Sequence, residues 1–131
     1  MLSNVPWRVK LERASSPKNP HLTEAPAQWF GGKLVGKMVI PSALELDEII
    51  RQIPKGQKVN IKDLRADYAA SHGADITCPL TSGIFLRIIA ENSEEERSQG
   101  KKDVTPYWRV VDDKGQMPPK IQAVYDRYHN K

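Results

Sequence analysis

Three side chains that can carry out chemistry lie within seven residues of one another: His72, Asp75 and Cys78. A cysteine becomes a nucleophile when a histidine within hydrogen-bond reach takes up its proton, and a loop between helices could bring such a pair together. The same three residues could also bind a metal ion. Because Cys78 is the only cysteine, a zinc site built from several cysteines is excluded. A lone cysteine among apolar neighbours is more often buried and inert, so we expect neither catalysis nor a metal site here.

The composition indicates one soluble globular domain. Of the 131 residues, 39% are hydrophobic and 27% are charged. No apolar run approaches the roughly 20 residues that cross a bilayer, and charges interrupt the N-terminal stretch where a secretion signal would need an apolar core. A single cysteine allows no internal disulfide and suits a reducing compartment. We therefore expect a cytoplasmic protein with no membrane partner.

The net charge of +4 is concentrated at the N-terminus. Residues 1–37 carry six basic and two acidic side chains, whereas the two following parts of the chain are close to neutral. Four prolines and several glycines also interrupt this segment. We interpret it either as an extended arm that contacts the domain through Trp7, Trp29 and Phe30, or as a loose tail. Its charge would attract a polyanion, although +4 is also ordinary for solubility.

Capping residues and apolar spacing predict two helices directly after this arm. Ser42-x-x-Glu45 forms a capping box, and apolar residues at spacings near 3.6 follow it until Pro54 ends the helix. Asn60 is the predicted N-cap of the second helix, which ends near Gly73.

A third helix is predicted after a linker, with Thr81 or Ser82 as its N-cap and Asn92 at its end. Two helices joined by a short connection are typical of a helix-turn-helix unit, although many small helical domains contain such pairs. The acidic run that follows Asn92 is interpreted as a solvated helix end and loop.

The C-terminal third predicts a small β-wing and a last helix. A β-like stretch at 108–111 leads into a turn at 112–115 that is typical of a hairpin or wing. The expected fold is therefore an α-rich α+β domain of winged-helix-like form at 38–117. The arm at 1–37 precedes this domain, and a short helix within 118–131 follows it.

Three motifs between about residues 39 and 116 occur together in one known family. They are Ile-Pro-Lys-Gly at 53–56, a strand-to-helix start at 59–61, and Pro-Tyr-Trp-Arg-Val-Val at 106–111. This part of the chain resembles the DNA-binding domain of the O6-methylguanine-DNA methyltransferase family, and more closely its alkyltransferase-like branch. The family has Pro-Cys-His-Arg-Val at the third motif and transfers the alkyl group of damaged DNA onto that cysteine.

The departures from this motif argue against an enzyme. Tyr107 stands at the position of the acceptor cysteine, and a phenol with a pKa near 10 is a poor nucleophile at pH 7. Trp108 stands at the position of the activating histidine, and an indole N–H can only donate. The family's base-flipping tyrosine and arginine would fall at Ile61 and near Gly83. We expect no catalytic residues and no cofactors.

The resemblance implies a set of DNA contacts around the start of the third helix. Free N–H groups and hydroxyls at a helix start can donate to phosphates, and Arg87 supplies the one cation of this helix. The alternative is that the apolar residues of this helix are simply core. The expected DNA-binding residues are Asn60, Thr77, Thr81, Ser82 and Arg87.

The family motif also implies a lesion pocket lined by Tyr107, Trp108 and Arg109. The two aromatic rings would stack on an extruded base, or they fill the former pocket and become core, which is favoured. Arg109 either faces the pocket or pairs structurally with an acid such as Asp112 or Asp113, and the structural role is favoured.

The leading hypothesis is non-enzymatic binding of double-stranded DNA, with sensing of alkylated guanine and a repair-protein partner as further expectations. The alternative is a protein-interaction module on a winged-helix scaffold that has lost DNA and lesion binding.

Overall fold

Five α-helices and five short strands make up the part of the chain that the computed structural model describes, which is residues 6–14, 20–25 and 36–129. The helices are α1 (Trp7–Arg13), α2 (Ala43–Arg51), α3 (Ile61–Ser71), α4 (Pro79–Ser98) and α5 (Pro119–His129). The strands are β1 (His21–Glu24), β2 (Lys37–Ile40), β3 (Val59–Asn60), β4 (Ile76–Thr77) and β5 (Val110–Val111), and a 3-10 turn spans Tyr107–Arg109. The expected α-rich α+β class is confirmed.

Helix α4 is the central element, because α1, α2, α5 and the 3-10 turn all pack against it. Its residues Phe85, Leu86 and Ile89 are buried and form one hydrophobic core with side chains from the other four helices. Those partners are Leu11, Leu46, Ile50, Leu64, Tyr68, Ile121 and Val124.

The helix starts at α2 and α3 agree with the predicted caps. The Ser42 hydroxyl accepts a 3.3 Å hydrogen bond from the backbone N–H of Glu45, and Asn60 Oδ1 accepts one of 2.8 Å from Lys62. The reciprocal half of the capping box is not formed. Instead, the Ser42 N–H donates to the Tyr68 hydroxyl at 3.0 Å, and that hydroxyl donates to Glu45 Oε1 at 2.5 Å. Tyr68 therefore ties the start of α2 to α3.

Helix α4 is longer at both ends than its sequence predicts. It begins at Pro79, and its N-cap is Cys78, whose Sγ accepts from the Thr81 N–H at 3.4 Å. Thr81 and Ser82 therefore lie inside the helix, and the prediction that one of them is the cap is wrong. The helix also continues past Asn92 to Ser98. Ser93 and Glu94 at the start of this extension are buried, so the predicted solvated helix end is wrong at these two residues.

The small sheets differ from a winged-helix arrangement. Strands β1 and β2 are antiparallel, and β4 joins β2 in parallel from within the segment that was predicted to be a linker. Strand β5 pairs in parallel with β3. The turn after it does form, since Asp112 Oδ1 accepts from the N–H groups of Lys114 and Gln116 at 2.9 and 3.1 Å. No strand returns from this turn within residues 36–129, so the predicted hairpin is wrong and the winged-helix form is not confirmed.

Where it is described, the N-terminal segment is helical at α1 and extended at β1. Pro6 occupies the N-cap of α1, so this proline does not interrupt the helix. Leu11 is fully buried in the core, and the Trp7 N–H donates to Glu95 Oε1 at 2.9 Å. The segment thus contacts the domain through α1 and through β1. Trp29 and Phe30, the other predicted contacts, lie outside the described residues.

Candidate functional site

The first half of α4 presents an exposed line of side chains to solvent. Leu80 and Ile84 are 56% and 45% exposed, and the Arg87 guanidinium is also exposed. Their spacing of four and three residues places them along one face of the helix. We call these three residues the α4 ridge. Gly83 lies beside it with open space where a side chain would stand, so another molecule can approach the helix backbone closely.

A groove of about 240 Å³ lies beside the ridge, between α3 and the start of α4. We call it the α3 groove; Lys62, Arg65, Asp75, Thr77 and Pro79 are among its lining residues. The Arg65 side chain is partly buried, and this burial lowers the pKa of its guanidinium. Its guanidinium has no carboxylate partner among the described residues. The groove therefore holds a desolvated cation that is not neutralised within this part of the chain.

Two other charged groups of the groove are already engaged. Lys62 Nζ lies 2.7 Å from Asp113 Oδ2, and both side chains are exposed. Asp75 Oδ2 accepts from the Lys37 N–H at 2.9 Å, at the edge of the β2–β4 pair. The exposed pair of Lys62 can rearrange toward another anion at little cost.

Most of the predicted DNA contacts use their polar groups inside the protein. Thr77 is buried, and its hydroxyl donates to the Arg65 carbonyl at 2.6 Å. Ser82 is fully buried and donates to the Pro79 carbonyl at 3.2 Å, while Thr81 Oγ1 lies 3.2 Å from Cys78 Sγ. A buried hydroxyl cannot reach a phosphate, so Thr77 and Ser82 are removed from the candidate set, and Thr81 is committed to the helix cap.

The two remaining predicted contacts have different surroundings. Asn60 caps α3 with Oδ1, and its Nδ2 donates to Asp113 Oδ1 at 2.9 Å, so its amide is satisfied. Arg87 stays available on the surface, with Glu91 Oε2 at 3.7 Å as its nearest carboxylate. Arg65, which the sequence analysis did not single out, replaces the buried hydroxyls as a candidate phosphate contact. In the sequence it is recognisable only as a basic residue on the helix that precedes α4.

Tyr107, in the motif at 106–111, is fully buried. Its hydroxyl donates a 2.5 Å hydrogen bond to Glu94 Oε2, and its ring packs edge-on against Trp108 with centroids 5.4 Å apart. Burial and the Glu94 carboxylate raise the pKa of this phenol, so it is neutral at pH 7. The ring fills the space at the motif, as the favoured interpretation predicts, and it is not placed to stack on an extruded base.

The neighbouring Arg109 has a structural role in this conformation. Its guanidinium donates to the Ile53 carbonyl at 2.7 Å and lies 6.0 Å from the Trp108 ring centroid. The arginine thereby joins the motif to the end of the Ile-Pro-Lys-Gly segment. A structural role was the favoured prediction, but the acceptor is a backbone carbonyl rather than Asp112 or Asp113.

Two buried glutamates on α4 were missed by the sequence analysis. Glu94 accepts hydrogen bonds from Tyr107, from Arg97 at 2.5 Å and from His129 at 3.0 Å. Burial acts to raise the pKa of Glu94, but these hydrogen bonds outweigh it and hold the pKa below its ordinary value. Glu91, which is equally buried, pairs through Oε1 with Arg127. The only indication of these buried acids in the sequence is the pair of basic residues, Arg127 and His129, at the end of α5.

The structure does not bring His72, Asp75 and Cys78 together into a site. Cys78 is buried and its Sγ is hydrogen-bonded to Thr81, as expected for an inert cysteine. His72 Nε2 lies 3.1 Å from Glu45 Oε1, with its ring stacked on Tyr68. In the described ranges, no group of three or more His, Cys, Asp or Glu side chains could hold a metal ion.

Comparisons with protein-family models, curated proteins and solved structures returned no match to this chain. None of the helices in the described ranges combines the length and apolar character that crossing a membrane requires.

Proposed function

We propose that this chain is a non-enzymatic DNA-binding protein of the cytoplasm that contacts duplex DNA with the α4 ridge and the α3 groove. The observation that carries the proposal is Arg65, a partly buried cation without a carboxylate partner among the described residues. A phosphate entering the groove would supply the missing negative charge.

The chemistry of the ridge complements such a phosphate contact. Lys62 and Arg65 lie on one side of Leu80 and Ile84, and Arg87 lies at the end of the ridge. Proteins that bind the minor groove combine phosphate contacts from cations with apolar side chains that wedge between base steps. Leu80 and Ile84 are suited to the second role, and the bare backbone at Gly83 permits the close approach that it needs.

The motif residues support binding without lesion recognition. Because the Tyr107 ring fills the space at the family's reactive position, an alkylated guanine has no place there in this conformation. We therefore propose that the protein binds modified and unmodified duplexes equally well.

Fluorescence anisotropy of a labelled duplex at two salt concentrations tests the proposal. We expect salt-sensitive binding, which Arg65→Ala weakens while reducing the salt dependence by about one phosphate contact. Lys101→Ala is the matched control, since Lys101 is exposed beyond the far end of α4 and pairs with Glu96 there. Absence of binding at low salt, or equal loss in the two variants, would contradict DNA binding through the groove. Tighter binding to a duplex containing O6-methylguanine would contradict the lesion-independent part.

A protein-interaction module is the second candidate, and the exposure of Leu80 and Ile84 favours it. The two functions respond to different substitutions. A protein partner held by the apolar ridge would be lost in the double variant Leu80→Ser, Ile84→Ser and retained in Arg65→Ala, whereas DNA binding depends on both.

A further inference from the structure

A second cleft, of about 480 Å³, lies between α4 and α5, and the ridge residues Ile84 and Arg87 are part of its lining. Its apolar lining consists of Trp7, Ile84, Ile88, Ala123 and Val124. The charged side chains are Arg87, Glu91, Lys120 and Arg127. We call this the α4–α5 cleft. Three cations and one carboxylate around an apolar interior favour a ligand that is both apolar and anionic.

The carboxylate at one end of the cleft has an unused acceptor. Glu91 is 1% exposed, and its Oε1 pairs with Arg127. Its Oε2 accepts no hydrogen bond within the described residues, and the Arg87 guanidinium lies 3.7 Å from it. Leaving a buried carboxylate oxygen without a donor costs free energy. A ligand that places an N–H group there would recover that cost.

The two ends of the cleft offer different chemistry. Helices α4 and α5 run in the same direction here, because Glu91 contacts Arg127 and Glu94 contacts His129. Along α5, Lys120 precedes Arg127 by seven residues, which corresponds to about 10 Å of helix. An acceptor at the Glu91 end is thus separated by roughly that length from the exposed ammonium of Lys120. A matching ligand carries a donor at one end and an anion at the other.

We propose that the α4–α5 cleft binds a nucleoside monophosphate, with a base N–H donating to Glu91 Oε2 and the phosphate at Lys120. The flat base would lie among the apolar side chains, with Trp7 as its aromatic neighbour. A cationic ligand would be repelled by the three basic residues, and an anionic lipid has no N–H donor for Glu91. This site goes beyond the proposed DNA binding and does not involve Arg65.

Calorimetric titration of the full chain with AMP tests the site. The informative comparison is purine riboside 5′-monophosphate, which lacks the amino group of AMP but keeps its ring and phosphate. A hydrogen bond to a charged acceptor contributes roughly a tenfold difference in affinity or more. AMP should therefore bind at least about tenfold more tightly than purine riboside 5′-monophosphate. Adenosine, which lacks the phosphate, should also bind more weakly. Equal affinity for the two nucleotides, or no heat with millimolar AMP, would overturn the proposal.

Two variants locate the binding. Glu91→Gln should remove the preference for AMP over purine riboside monophosphate. Lys120→Ala, at an exposed position that does not threaten folding, should weaken AMP binding severalfold, whereas the matched control Lys114→Ala, in the exposed 112–115 turn, should not. Equal effects of the two lysine variants would overturn the assignment to this cleft.

The two proposals fail independently. Arg65→Ala should leave AMP binding unchanged, and a loss of AMP binding in that variant would overturn the placement of the nucleotide. Displacement of AMP by a single-stranded oligonucleotide would identify a polymer as the natural source of the nucleotide, whereas no displacement would identify a free nucleotide. Both outcomes are consistent with the cleft chemistry.

Discussion

The Tyr107 hydroxyl and the Glu94 carboxylate form a 2.5 Å hydrogen bond inside the core, although they lie thirteen residues apart in the sequence. The bond joins the 3-10 turn to the C-terminal part of α4, and Arg97 and His129 bind the same carboxylate. Tyr107 therefore has a structural role in the core.

Removing the hydroxyl tests the energetic importance of this bond. We expect Tyr107→Phe to lower the free energy of unfolding by about 1–3 kcal/mol, because it leaves a buried carboxylate with one donor fewer. Tyr125→Phe is the control, since its hydroxyl forms no hydrogen bond with the described residues. Urea unfolding followed by circular dichroism measures both variants. An equally small effect in the two would show that Glu94 is satisfied without Tyr107.

Stability should fall in acid because of Glu94. Its hydrogen bonds hold its folded pKa below the ordinary value of 4.5. A carboxylate whose pKa is lowered by folding contributes its full stabilisation at pH values above its pKa in the unfolded chain. This contribution is lost as the pH falls through its pKa in the folded protein. We expect Glu94→Gln to show a shallower loss of stability below about pH 4.5 than the parent protein. The exposed Glu24→Gln should retain the parental slope in the same urea series; an unchanged slope in Glu94→Gln would contradict the assignment.

The ion pair between Glu91 and Arg127 should matter more than an exposed one. The Arg127 side chain is 53% exposed while Glu91 is buried, so Arg127→Ala leaves a buried charge with only Arg87 nearby. We expect a loss of about 2 kcal/mol or more in unfolding free energy. Arg8→Ala removes a pair that is exposed on both sides and should cost about 0.5 kcal/mol or less. Comparable losses in the two variants would mean that Glu91 is stabilised by other groups.

Helix α1 should contribute directly to the stability of the domain. Leu11 is fully buried in the main core, so Leu11→Ala should lower the unfolding free energy by about 2–4 kcal/mol. Leu22, on β1, is 45% exposed, and Leu22→Ala should change stability by about 0.5 kcal/mol or less. Thermal or urea unfolding distinguishes the two. A near-neutral Leu11→Ala would show that α1 is not docked in solution.

Helices with local signals could be predicted from the sequence. The caps at Ser42 and Asn60 and the apolar spacing that follows them identify α2 and α3, because these interactions span only a few residues. Strands β3 and β5 lie within the strand start at 59–61 and the β-like stretch at 108–111 that the sequence predicts, whereas the two-residue strand β4 is too short for any alternation to show. Their pairing depends on partners more than thirty residues away.

The buried residues of the candidate site could not be predicted either, because they too depend on partners that are distant in the sequence. Charged residues ordinarily face solvent, so nothing local indicates that Glu91 and Glu94 are buried; their partners Arg127 and His129 belong to a helix more than thirty residues later. Ser82 was expected on the surface because a small polar residue at a predicted helix start ordinarily faces solvent. Its burial follows from helical spacing, because Ser82 lies three and four residues before the buried Phe85 and Leu86 and so shares their face of α4.

The pairing of β4 with β2 has a mechanical consequence. Asp75 and Cys78 donate backbone hydrogen bonds of 2.9 and 3.0 Å to Lys37 and Val39, so the connection between α3 and α4 is clamped at both ends to a strand from outside the helix pair. The angle between the two helices is therefore fixed by that strand rather than by the length of a flexible turn. A fragment containing α3 and α4 alone would lose this clamp, and with it the relative placement of Arg65 and Leu80.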